Sequence, residues 1–361
     1  MEKPNFFVFF SFLLLSFLSG CQQFVRGSPD HGHRPTQGSV FTFRPNKLFV
    51  FGDSYADTGN NRKSLANSWK VPYGITFPGK PAGRFSDGRV STDYIARYLK
   101  IKTPIPYRWR KVLSGHLKYG MNFAYGGTGV FNTLVPEPNM TTQINFLQQL
   151  LDESVYTKRE LKSSVAVVSL AGNDYTTYIA RNGSVQGWQS FIKSVVDQLA
   201  IDLKRIHNLG VRKVAVNTLQ PLGCLPQSTF KLSFKQCNAT ENSLVDVHNL
   251  FLQQAVNKLN AETNSTDTHF VILDIHNAFW TVFNNETVHQ GDTTFENPYE
   301  PCCVGVSTQF SCGSVDVNGN KKYTLCADPK SRFFWDTVHP TQQGWNAVYS
   351  TPVMQKSLEQ L

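Results

Sequence analysis

"KLFVFGDSYADTGNN", residues 47–61, joins an apolar run, Leu48 to Phe51, to a polar turn that holds Asp53, Ser54, Asp57, Gly59, Asn60 and Asn61. A short apolar run closed by Gly and Asp predicts a core strand entering a turn. Runs of this kind recur along the chain. "YGMNFAYGG" (119–127) runs into glycines, and "SVAVVSLAGND" (164–174) ends in Gly-Asn-Asp. "VRKVAVNTLQPLG" (211–223) and "HFVILDIH" (269–276) follow. Helical periods lie between them. Residues 188–210 carry Phe191, Val195, Leu199, Leu203 and Ile206 at helical spacing and stop at Gly210, and residues 241–262 are also amphipathic. Residues 340–361 are expected to close the chain as one helix with Pro340 near its first turn. Strands alternating with helices predict an α/β fold with a parallel sheet covered on both faces. Ligands bind such sheets at the carboxyl ends of the strands. Ser54, Asn173 and Gly126-Gly127 all fall on that edge. Ser54 can be read there as a nucleophile or as an ordinary helix N-cap.

The 361 residues are 40% hydrophobic and 13% aromatic, enough for a large core, and the 17% charged content excludes a disordered, charge-rich chain. No linker, repeat or second composition regime is visible, so residues 46–361 read as a single domain after a flexible lead-in at 22–45. Residues 285–335 break the alternation and read as a polar, Cys-rich insertion held by disulfides rather than by a core. The first residues, "MEKPNFFVFFSFLLLSFLSGC", have a charged start, an apolar stretch and small residues at Ser19, Gly20 and Cys21. This is the pattern of a secretory signal peptide over 1–21, shorter than the roughly 20 apolar residues of a membrane span. No later segment reads as a transmembrane segment.

Cleavage after Cys21 leaves Cys224, Cys237, Cys302, Cys303, Cys312 and Cys326, an even set suited to an oxidising compartment. Cys224 and Cys237 are close together and isolated, so they are expected to pair. The other four leave three connectivities open, and Cys303 and Cys312 are the rival candidates for zinc. Asn139, Asn182, Asn238, Asn264 and Asn285 each begin an N-glycosylation acceptor, which implies surface loops in a secreted chain. The net charge of +9 is spread without a block of five or more Lys/Arg. It reads as a basic surface, not as a nucleic-acid site.

A serine hydroxyl needs a neighbouring base, and the base needs a third group to hold it. "FFWDTVHPT" (333–341) supplies Asp336 and His339, three apart. Pro340 disfavours helix at His339, so the pair is expected in a loop. Asp274 and His276 form a competing pair, with one residue between them at the end of a predicted strand. Gly-x-Ser-x-Gly, the nucleophile elbow, does not occur.

The ordered set "FVFGDSYADTGNN", "GRFSDGRVSTDYIA" (83–96), "MNFAYGGTG" (121–129), "AGND" (171–174), "PLGCLP" (221–226) and "FWDTVHPT" resembles the plant branch of the GDSL esterase/lipase family, the SGNH hydrolases, over about residues 47–345. The resemblance implies a three-layer α/β/α sandwich with a mostly parallel, flavodoxin-like sheet, and ester hydrolysis without metal or cofactor. By motif, Ser54 would be the nucleophile, His339 the base and Asp336 its orienting carboxylate. Asn173 and the backbone N–H groups of Ser54 and Gly127 would form the oxyanion hole, with Gly126 in reserve for Gly127. The implied partner is a small-molecule or polymeric ester met outside the cell, in the apoplast or wall of a plant. The family's leucine is Tyr55 here, expected either to shape the acyl pocket or to pack in the core.

Overall fold

The computed structural model describes residues 43–361 except 171, 264–268 and 285–294. The signal segment, most of the lead-in, Asn264 and Asn285 lie outside the described residues. Strands β1 (Lys47–Gly52), β2 (Ile105–Pro106), β3 (Gly120–Asn122), β4 (Ser164–Ser169), β5 (Lys213–Asn217) and β6 (Phe270–Leu273) form one six-stranded sheet in the order β2-β3-β1-β4-β5-β6. Every pair in it is parallel. With the short edge strand β2 set aside, this is the flavodoxin-like doubly wound order, and its switch point lies between β1 and β4.

Period-two alternation explains the three layers. Leu48, Val50, Val165, Val167, Val271 and Leu273 face one way, against Trp345 and Met354. Phe49, Phe51, Ala166, Val168, Val214 and Val216 face the other way, against Leu147, Leu199, Leu203 and Val256. β1 is buried on both faces, which is why it reads as an unbroken apolar run. Each such Val, Leu or Phe contributes about 1.5–3 kcal/mol by leaving water.

Three expectations need correction. The chain closes in two helices, Gln342–Ser350 and Pro352–Leu358, because Pro352 lacks an N–H and restricts Thr351 before it. Pro340 lies outside both, since Thr341 caps the first through the Gly344 N–H at 2.8 Å. "HFVILDIH" leaves the sheet before His276: the strand ends at Leu273, and Asp274 accepts the Asn277 N–H at 3.1 Å and caps the helix Ile275–Phe283, so the Asp274–His276 pair does not stand on a strand. The Cys-rich insertion is more than disulfides. Its hairpin, β7 (Cys303–Gly305) with β8 (Tyr323–Leu325), brings Cys302, Cys303 and Cys312 into a small core with Tyr73, Tyr323 and Trp335.

The disulfides are Cys224–Cys237, as expected, Cys302–Cys326 and Cys303–Cys312. The last overturns the zinc alternative, because the two candidate ligands are bonded to each other. Of the described glycosylation acceptors, Asn182 is exposed in a turn. Asn139 and Asn238 instead cap helices, with their amide nitrogens donated to Asn132 and Glu241. No described helix is long and apolar enough to cross a membrane.

Candidate active site

The site begins where β1 meets β4 too closely for any side chain but hydrogen. Gly52 has φ +142°, and a Cβ there would sit 1.9 Å from the Ser169 carbonyl oxygen. Asp53 then donates its N–H to Ser169 at 3.1 Å, and its own carbonyl accepts from Ala56 and Asp57. This coil leaves Ser54 at the carboxyl edge of the sheet, 6% exposed. Its Oγ lies 2.8 Å from His339 Nε2, so the hydroxyl is engaged with an imidazole rather than capping a helix.

His339 Nδ1 lies 2.8 and 2.9 Å from the two Asp336 oxygens. Asp336 is held by its own loop, accepting the Val338 and His339 N–H groups at 2.9 Å each. The loop is not helical, as Pro340 requires. Tyr73 completes the shell of Asp336, donating its hydroxyl to Oδ2 at 2.6 Å inside a buried aromatic cluster with Trp335 and Phe85. Burial alone would raise the Asp336 carboxyl. The neighbouring His339 and the hydrogen bonds from His339, Tyr73 and Val338 outweigh it and hold the carboxyl below its ordinary value.

Tyr55 resolves to the core position. It is 2% exposed, packs against Trp345 at 5.1 Å between ring centres, and donates its hydroxyl to the Val338 carbonyl at 2.9 Å. The residue after the serine thereby ties the serine turn to the histidine loop.

The rest of the opening stretch clamps the glycine turn. Asp57 Oδ1 accepts the Gly59 and Asn60 N–H groups at 2.7 Å. Asn60 donates to the Asn122 and Ala124 carbonyls. Asn61 Oδ1 accepts the Gly126 N–H at 2.6 Å, with Asp57 Oδ2 a second acceptor at 3.2 Å. The Gly126 N–H is therefore spent. Among the described residues no acceptor takes the N–H of Gly127, which has φ +83°, or that of Ser54. Of the two glycines, Gly127 is the one whose N–H has no acceptor among the described residues.

Asn173 begins the helix Asn173–Ala180 at the end of β4, across the switch point from Ser54. Its amide nitrogen donates to Asp53 Oδ2 at 3.1 Å and to the Thr128 carbonyl at 2.9 Å, so both hydrogens have acceptors in the free site. The sequence placed Asn173 on the correct edge but gave no sign of these partners. It also missed Tyr73, which nothing in the spacing links to Asp336, and left Asp57, Asn60 and Asn61 without roles although they stand in the opening stretch.

A serine hydroxyl bonded to an imidazole that is bonded to a buried carboxylate, at a parallel-sheet edge with spare backbone N–H groups, is the equipment of acyl transfer. Residues 48–350 match the family described as GDSL-like Lipase/Acylhydrolase. The GDSL esterase/lipase At5g03610 of Arabidopsis thaliana is 57% identical over 98% of this chain and 96% of its own length. A second Arabidopsis thaliana protein, GDSL esterase/lipase At3g09930, is 51% identical over 99% of both. Among solved structures, a catalytic mutant of an acetylxylan esterase from Geobacillus stearothermophilus is 14% identical, with a TM-score of 0.37 over 87% of this chain and 94% of that one. The chain belongs to the GDSL lipase/acylhydrolase family, and it is a carboxylic ester hydrolase.

Proposed function

We propose that this hydrolase is a secreted serine esterase, a single domain from residue 46 onward, working through a covalent acyl-serine intermediate. The observation that carries the proposal is the unbroken hydrogen-bonded line from Ser54 Oγ through His339 to Asp336. His339 Nε2 takes the hydroxyl proton as Ser54 Oγ attacks the ester carbonyl, and Asp336 stabilises the imidazolium through Nδ1–H. The C–O bond to the alcohol then breaks, the alcohol leaves with the proton from His339, and an acyl-serine remains. Water, deprotonated by the same His339, releases the acid. An alcohol in the place of that water would make the product an ester, with the same residues in the same roles.

The tetrahedral oxyanion is held by the N–H groups of Ser54 and Gly127, which have no competing acceptor among the described residues. Asn173 is the third donor. It must give up one of its two hydrogen bonds to serve, and the one to Asp53 is the longer. Secretion is supported by the N-terminal sequence pattern and by three disulfides.

The test is Ser54→Ala assayed on p-nitrophenyl esters beside wild type. Turnover is expected to fall by about three to six orders of magnitude, and a fluorophosphonate probe should label the wild type alone. Labelling that survives in the variant would move the nucleophile elsewhere.

A further inference from the structure

A cleft of about 740 Å³ has Gly127, Asp336 and His339 in its wall. That volume lies within the range of small-molecule sites, about 300–1,000 Å³. The rest of the lining mixes apolar side chains, among them Leu65, Phe230, Phe234, Val306 and Phe310, with uncharged polar ones. Leu65, Phe230 and Val306 are 61%, 62% and 56% exposed. Single exposed apolar residues are ordinary, but several gathered round one cleft beside a reacting pair mark an apolar ligand.

The charges give a second, independent indication. The chain has 35 Lys and Arg, yet none of the described residues lining the cleft is Lys, Arg or Glu. Apart from Tyr73, the ionisable side chains there are Asp336 and His339, which are engaged with each other. A phosphate or carboxylate on the substrate would find no cation there, and burying an unpaired charge is costly.

Val306 and Phe310 stand on a loop closed by its own disulfide, Cys303–Cys312. The root of that loop is fixed to the strand of chain leading into Asp336, because Cys302 and Cys303 donate their N–H groups to the Phe334 and Trp335 carbonyls at 2.9 and 2.7 Å. The wall is thus held in register with the base.

We propose that this cleft takes the apolar group of an uncharged ester, and that the loop from Cys303 to Cys312 is the wall that selects it. The inference rests on the esterase reading of the same site. Neutral substrates with an alkyl or aromatic part are accepted, and esters carrying a phosphate or free carboxylate next to the cleft are refused.

The test measures kcat/KM for p-nitrophenyl acetate, hexanoate and hemisuccinate with wild type, Val306→Arg and Phe230→Ser. Wild type should prefer hexanoate over hemisuccinate by at least about tenfold, since an unpaired charge is refused. Val306→Arg should lower the hexanoate-to-acetate ratio and raise the hemisuccinate-to-hexanoate ratio, each by about tenfold or more. Phe230→Ser, outside the Cys303–Cys312 loop, should lower the first ratio without raising the second, and serves if the arginine variant does not fold. Unchanged ratios in a variant that still labels with a fluorophosphonate would overturn the proposal. Absence of any ester turnover in wild type would defeat the esterase reading instead. Binding of intact p-nitrophenyl hexanoate to Ser54→Ala protein would then decide: weakening of about tenfold on adding Val306→Arg supports the wall, and no weakening overturns it.

Discussion

Two segments that meet the cleft are held in opposite ways. From Gly52 to Asn61 the chain is buried, and its constraints are hydrogen bonds from short polar side chains: Asp57 to its own turn, Asn60 and Asn61 to the segment after β3. The wall around Val306 is largely exposed and is fixed by two disulfides and a small aromatic core. The contrast follows from what each segment can bury. The turn lies against a doubly covered sheet, where most buried backbone N–H groups, though not that of Ser54, find partners and each partner also fixes a position. The wall has too little core for that and relies on covalent links. On the proposed roles, the nucleophile sits on the first kind of support and the wall that selects the substrate is the second.

The sharpest way to break this contrast is on the reacting side. Asn173→Ala should lower kcat about a hundred- to a thousandfold with KM nearly constant, because the donor matters most when negative charge develops. A kcat within about threefold of wild type, together with a lower Tm, would reduce Asn173 to a link between Asp53 and Thr128. On the wall, replacing Cys303 and Cys312 together by Ser should cost about 2–4 kcal/mol of stability in chemical denaturation. It should blunt the preference between acyl groups yet leave fluorophosphonate labelling of Ser54 intact. Loss of labelling at temperatures where the variant is still folded would show that the turn depends on the wall after all.

Tyr73 packs in the small core of the wall and bonds to Asp336, and its effect is the smallest. Tyr73→Phe removes one of the hydrogen bonds that hold the Asp336 carboxyl low, so the carboxylate becomes more basic and its pull on the His339 proton grows. The acid limb of the kcat/KM profile should therefore move to higher pH, while turnover on the plateau falls by about tenfold, the range of a lost hydrogen bond to a charged group. A tyrosine that only filled space would leave the acid limb where it was.

The features that could be read from sequence were local ones. β1 and β4 announce themselves as apolar runs ended by Gly, Ser54 and Asn173 follow from those ends, and Asp336 and His339 share one short loop. Cys224 and Cys237 had no nearer rivals. What stayed hidden depends on distant side chains. The Gly126 N–H is occupied by Asn61, 65 residues away, and that of Gly127 is not. Tyr73 reaches Asp336 across 263 positions. Tyr55 is apolar enough for either of its two readings, and only the position of Val338 assigns it to the core. The closing helix reads as one from sequence, but backbone chemistry at Pro352 divides it in two.

The bond from Ser54 to His339 joins residues 285 positions apart. Translation runs from the N-terminus, so the ribosome delivers the hydroxyl early and the imidazole late. On the proposed mechanism, the growing chain therefore carries its serine without this base through most of synthesis. Competence on that mechanism requires the loop that carries Asp336 and His339 to have been made and docked beside β1.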